Sequence, residues 1–148
     1  MALNQNQFGM TAVAGQKDAL IAGVVLPVRL TDAASAGDAL KLEGSSVAGG
    51  AISVAKVAAK TDSQRGVLLH NVQKADFVAG DMAEMAMVGS VVLLPMEAAT
   101  TADDELTYNP ATGKYVAAAA GEGIVAVALT SGAADDLVRC LIVKSVAA

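Results

Sequence analysis

Hydrophobic positions in this 148-residue chain recur in short alternating runs cut by Gly, Asp, Asn and Pro. One turn phrase is used twice. Ala36-Gly37-Asp38-Ala39-Leu40 returns as Ala79-Gly80-Asp81-Met82-Ala83, and each copy leads into a run that closes on another Gly. In the first, Leu40 and Leu42 flank Lys41 before Gly44. In the second, Met82, Glu84, Ala86 and Val88 share one parity before Gly89. A period of two is the mark of a strand with two unlike faces. Gly takes positive φ at little cost, and an Asp carboxylate can bond the backbone of its own turn, so the phrase predicts a tight turn that opens a strand.

The same rhythm runs along the rest of the chain. Ile21 to Leu30 reads as a strand with an edge or opening position at Pro27, and Thr31 to Asp38 as a loop. Ala51 to Ala59 sets helix-favouring Ala against β-branched Ile52, Val54 and Val57; bounded by Gly49-Gly50 and Thr61-Asp62, it has strand length and is assigned as one. Gly66 to His70 is another strand. Met82 to Val88 could wind as a helix, but Gly89 and the Val91-Val92-Leu93-Leu94-Pro95 run beyond it fit a meander. Leu106-Thr107-Tyr108 and Lys114-Tyr115-Val116 flank Asn109-Pro110-Ala111-Thr112-Gly113 as a hairpin. Ile124 to Leu129 and Leu137 to Val143 complete the set. Short strands at intervals of about 8–12 residues predict an all-β barrel or sandwich. Residues 1–17 mix Asn, Gln and Gly without a period; they read as an extended arm that adds to a neighbour, or as a frayed terminus, before a single β domain over 18–148.

Composition changes this picture in one respect. Charged residues make up 17% and aromatics 3%, the net charge is −5, and mean hydropathy is +0.51. The sparse positive charge excludes a nucleic-acid footprint. High hydropathy without a membrane span points to an assembling protein, the alternative being a Val-rich β core in which Ala and Gly inflate the index. The apolar run Ala19 to Val28 is shorter than the roughly 20 residues of a membrane helix and is broken by Gly23 and Pro27. No basic cluster precedes an apolar stretch near Met1, so no secretory signal is expected and synthesis is expected to be intracellular.

Catalytic chemistry has little to build on. His70 is the single histidine, which excludes a His-based zinc site and leaves a Ser-His-acid triad without a recognisable nucleophile motif. It reads as a strand-end imidazole held by local hydrogen bonds. Asp103-Asp104-Glu105 and Asp135-Asp136 offer oxygen ligands but lack the alternating spacing of a calcium loop, and they read as solvated turns. Cys140, between Val138-Arg139 and Leu141-Ile142, reads as a small buried hydrophobe. No catalytic, cofactor-binding or metal-binding residue is assigned. Gly80-Asp81-Met82-Ala83-Glu84-Met85 looks like the approach to the modified lysine of biotinyl and lipoyl carrier domains, but the chain continues Ala86-Met87-Val88 where the lysine would stand.

A broader resemblance is carried by the polar Asn/Gln-bearing start, the Ala-Gly-Asp turns, and the Gly66-Val67-Leu68 and Gly89-Ser90-Val91-Val92 strand openings. Asn109-Pro110-Ala111-Thr112-Gly113-Lys114-Tyr115 and Gly123-Ile124-Val125-Ala126-Val127-Ala128-Leu129 complete it. By this pattern the chain resembles the head decoration, or capsid cement, proteins of tailed bacteriophages. The resemblance implies a compact β-barrel, jelly-roll-like or tulip-like, set as homodimers or homotrimers on the outer surface of the major capsid protein lattice, with no catalytic residues. It implies a virion component made in the host cytoplasm, binding neither nucleic acid nor membrane. Partner contacts are expected from the arm, through Asn4, Gln5, Phe8 and Met10, and from the apolar strand through Val24, Val25, Leu26 and Val28. The competing reading is a self-assembling β-sandwich structural or binding module unrelated to capsids.

Overall fold

The computed structural model describes residues 14–16, 23–46, 52–71 and 74–146. Every regular element among them is a strand: β1 (Val25–Leu30), β2 (Ala34–Ser35), β3 (Ala39–Ser46), β4 (Ile52–Lys56), β5 (Gly66–Leu68), β6 (Asp76–Phe77), β7 (Met82–Ala86), β8 (Val91–Pro95), β9 (Glu105–Asn109), β10 (Lys114–Ala117), β11 (Gly123–Ala128) and β12 (Leu137–Val146). The all-β expectation holds. The two ambiguous stretches, 51–59 and 82–88, form β4 and β7, both walls of a barrel. The loop expected over 31–38 contains the short β2, which pairs with β6 as Ala34↔Phe77 and Ser35↔Asp76.

The chain folds into two five-stranded units with the same plan. The first is a closed barrel in the order β1-β4-β3-β5-β7, with β1 and β4 parallel. The second is a sheet in the order β10-β9-β11-β12-β8. Its two ends meet at a parallel Met96↔Tyr115 bridge, where the Glu97 N–H donates to the Tyr115 carbonyl at 2.8 Å. Taking β1, β3, β4, β5 and β7 in turn as the counterparts of β8, β9, β10, β11 and β12 maps one unit onto the other, register included. Val28↔Ala83 matches Leu94↔Val138, Leu42↔Val54 matches Tyr108↔Tyr115, and Val67↔Ala86 lies where Val127 meets Leu141. The closing bond from Thr31 N–H to the Val54 carbonyl has its twin in Glu97 to Tyr115. The β2–β6 ribbon has its twin in the Thr100↔Gly132 bridge. The molecule is thus an internally duplicated barrel.

The turn phrase explains why both halves fold alike. In the segments 35–38, 59–62, 78–81, 101–104, 119–122 and 133–136, a carboxylate at the fourth position accepts the N–H of the first residue at 2.8–3.1 Å, and its own N–H returns to the first residue's carbonyl. Each turn thereby satisfies a donor and an acceptor that would otherwise face solvent at a strand start. The third position is left-handed at Gly37, Gly80, Asp103, Gly121 and Asp135. The acidic pairs Asp103-Asp104 and Asp135-Asp136 are therefore the Gly-Asp phrase with Asp in place of Gly, a residue that tolerates positive φ.

Two cores result. Val28, Leu30, Ala34, Leu40, Val54, Leu68, Phe77 and Met85 fill the first barrel. The larger core fills the second barrel with Val92, Leu94, Leu106, Tyr108, Tyr115, Cys140 and Ile142, and it also takes in Ala39, Val67 and Ala86 from the outer wall of the first. That wall stoppers the second barrel's mouth. The rings of Tyr108 and Tyr115, 5.2 Å apart, lie there fully buried. Tyr108 Oη donates to Asp38 Oδ1 at 2.7 Å and Tyr115 Oη to the Gly37 carbonyl at 2.6 Å. Gln64, 2% exposed, donates to Thr107 Oγ1 and accepts the Tyr108 N–H. Gly123 N–H donates to the Lys60 carbonyl, and a Cβ there would sit 2.4 Å from the Asp62 carbonyl oxygen, so only glycine fits the approach. Tyr108→Phe leaves a buried carboxylate oxygen without its donor and is expected to lower stability by about 1–3 kcal/mol, measured by urea unfolding at neutral pH.

Candidate interaction surface

Of the residues expected to contact a partner, Asn4, Gln5, Phe8 and Met10 lie outside the described residues. The nearest described segment, 14–16, is held at the joint of the two barrels. Gly15 N–H donates to the Leu93 carbonyl, Leu93 N–H to the Gln16 carbonyl, and His70 N–H to the Gly15 carbonyl. The segment turns at Gly15, in the left-handed region, and bonds its main chain to β8 at Leu93.

The apolar strand divides by face. Val24 is 56% exposed, Val25 half-buried against the shared core, and Leu26 half-buried against the first barrel's core. Val28 is fully buried in the barrel interior, so its side chain is not available to a partner, contrary to the sequence expectation. The strand is also no edge, because β4 and β7 flank it. Pro27 pairs with Glu84 one residue before the β4 ladder begins at Val28↔Ile52. The bonds Met87 N–H to Val24 O and Leu30 N–H to Asp81 O turn the even-numbered residues of β1 toward β7. The Pro27 nitrogen thus faces away from β7, where no donor is required.

Around Val24 the first barrel's open end gathers further apolar side chains. Leu42 is 50% and Ile52 39% exposed, and the half-buried Leu26 and Met87 pack inward behind them. These belong to the N-terminal ends of β1 and β4 and the C-terminal ends of β3 and β7, which the register brings to one rim. The sequence run marked Val24 and Leu26, but Leu42, Ile52 and Met87 were missed. Their only signal was an apolar residue continuing the parity of a core strand to the barrel's rim.

At the opposite end, a cleft of roughly 310 Å³ is lined by Pro27, Leu69, His70, Asn71, Phe77, Met82, Ala83 and Glu84. The imidazole has neither a hydroxyl nor a thiol side chain among these neighbours, so the cleft offers no nucleophile for a base to activate. The acids are occupied structurally. Asp104 and Asp136 cap their turns, and Asp135 pairs with Lys114. Among the described residues, no group of three or more His, Cys, Asp or Glu could hold a metal ion. Burial pushes the Cys140 thiol up to about 12, which keeps it protonated and chemically quiet.

No protein-family model and no curated protein sequence matches this chain. Among solved structures, the N base of the head fiber gp8.5 of bacteriophage phi29 matches with a TM-score of 0.57 at 18% identity, over 86% of this chain and 99% of that one. The chain shares the fold of that base.

The capping turns carry a measurable charge dependence. The Lys74 ammonium and then the Val78 N–H hold the Asp81 carboxyl below the usual range, and that side chain is solvent-accessible. At Asp62, desolvation pushes upward but is outweighed by bonds from Ala58 and Ala59 N–H and from Lys41, and the net shift is downward. A carboxyl depressed in the folded state contributes stability above its unfolded pKa and loses it as pH falls through the folded value. Urea midpoints are expected to drop below about pH 4. Asp81→Asn is less stable than the parent at pH 7, and the gap between them narrows as the pH falls toward 2.

Proposed function

We propose that this chain is a structural, non-catalytic protein of a tailed-phage head, a decoration or cement protein seated on the outer surface of the major capsid protein lattice. The observation that carries this reading is the fold shared with a head-fiber base, whose whole length the match spans. The sequence resemblance to head decoration proteins, drawn from turns and strand openings, supports it independently.

The physical character of the surface fits the task. A lattice protein needs many modest contacts repeated in fixed geometry, and an apolar rim with few charges can be covered without stranding ions away from water. Several such contacts made at once raise the effective concentration of each further one, so occupancy can be high although each contact is weak. Attachment in this reading uses the 1–17 arm, through Asn4, Gln5, Phe8 and Met10. No nucleic acid, membrane or cofactor takes part.

Co-sedimentation with expanded, undecorated capsids of the same phage tests the proposal. Saturable binding at a fixed ratio to the major capsid protein is the expected result, with occupancy reduced when residues 1–10 are deleted and the far-UV signature is unchanged. Absence of binding by the full chain would reject the capsid role and favour the self-assembling module. Full occupancy by the truncated chain would remove the arm from the mechanism.

A further inference from the structure

The two barrels of one chain meet through unlike surfaces, a mouth and a wall. The mouth belongs to the second barrel and is ringed by Val92, Tyr108 and Ile142; the wall belongs to the first and presents Ala39, Val67, Leu69 and Ala86. Because the two units share strand order and register, the chain must carry one more mouth and one more wall. The counterparts of Val92, Tyr108 and Ile142 are Leu26, Leu42 and Met87, at the open rim of the first barrel. The counterparts of Val67, Leu69 and Ala86 are Val127, Leu129 and Leu141, on the outside of β11 and β12 and just beyond β11. What is buried at the internal joint is exposed in the unused pair: Leu42 is 50% and Leu129 44% exposed, and Val127 and Leu141 are half-buried beside it.

We propose that the wall of the second barrel of one copy docks on the mouth of the first barrel of another, repeating between chains the joint already made within the chain. The occupant of the apolar rim is thus a second copy of this protein. The internal joint shows that a wall of this build fits a mouth of this build at this register. The contact is heterologous, so each copy gives one surface and receives the other, and the contacts close into a ring where the rotation between copies allows it and run on as a filament where it does not. Two differences set its strength. Leu42 stands where Tyr108 stands and has no hydroxyl to bond a turn, and Glu105 stands where Ala39 stands. The contact between copies is therefore weaker and more reversible than the internal joint, and it is strengthened when copies are held side by side.

The test uses the full chain without capsids, so its failure leaves the capsid reading untouched. Molar mass is measured by size-exclusion chromatography with light scattering over a wide concentration range, for the parent chain and for Leu42→Glu and Leu129→Glu. Both side chains are already half in water, and circular dichroism verifies that the variants keep their strands. The parent is expected to form a discrete oligomer, and each variant to run as a single chain. Mixing the two variants restores one contact, because the first keeps an intact wall and the second an intact mouth, and gives a one-to-one pair that grows no further. A parent that stays monomeric throughout, or an oligomer indifferent to either substitution, would overturn the proposal, as would a mixture of the two variants that stays monomeric.

Discussion

The arrangement depends on the stoppering of one barrel by the flank of another. A five-stranded barrel with Tyr108 and Tyr115 at its mouth would set two rings and two hydroxyls at the boundary of core and solvent. The first barrel resolves this by offering small side chains, Ala39 and Ala86 with Val67, for the rings to pack on, and the Gly37-Asp38 turn for the hydroxyls to bond. Burial and then the Asp38 carboxylate raise the Tyr108 hydroxyl well above its ordinary pKa, which favours its protonated, donating form. The acid that caps the turn at 35–38 is thereby also the acceptor that fixes the second barrel: Oδ2 serves the Ser35 N–H and Oδ1 the Tyr108 hydroxyl. Local turn geometry and long-range packing meet at one carboxylate.

Duplication supplies the rest economically. Each half uses a carboxylate-capped turn before the strands that build its far walls, so most of the topology is specified by a four-residue device and alternation. The halves then diverge where they touch. Gln64 is buried and bonded across to Thr107 and Tyr108, whereas its counterpart is the buried apolar Ile124. Leu93 gives its N–H and carbonyl to the 14–16 segment, whereas the matching Pro27 has no N–H to satisfy. Divergence at these positions turns two like barrels into an ordered pair with one joined side and one free side.

Much of this was legible from the residues, and the illegible part has a physical cause. The Ala-Gly-Asp phrase correctly marked strand starts, and β-branched residues outvoted Ala in β4 because a barrel wall buries them from both sides. The duplication stayed hidden although Val25 and Val91, Asp38 and Asp104, Leu40 and Leu106, and Val67 and Val127 are identical at matched places. Loops of unequal length change the spacing between halves along the chain, and Asp103 and Asp135 disguise the turn by taking the glycine's conformation. An apolar run shows which residues avoid water but not on which face of a barrel each one lies, so Val24 and Val28 looked alike and are opposite. Asp38, Gln64 and Tyr108 carried no signal as a group, because they are joined only by the fold.

In the assembly proposed above, one copy of the joint is satisfied within the chain and the other is left for a second copy. The two barrels are expected to form one cooperative body through the tyrosine-lined mouth. The chain has no Trp and only two Tyr, both at that joint, so tyrosine fluorescence reports the joint while far-UV circular dichroism reports all the strands. Urea unfolding followed by both signals is the direct measurement. Superimposable transitions are predicted. A tyrosine transition completed while most of the strand signal persists would contradict the account, showing that the first barrel stands alone and the joint is not what holds the molecule together.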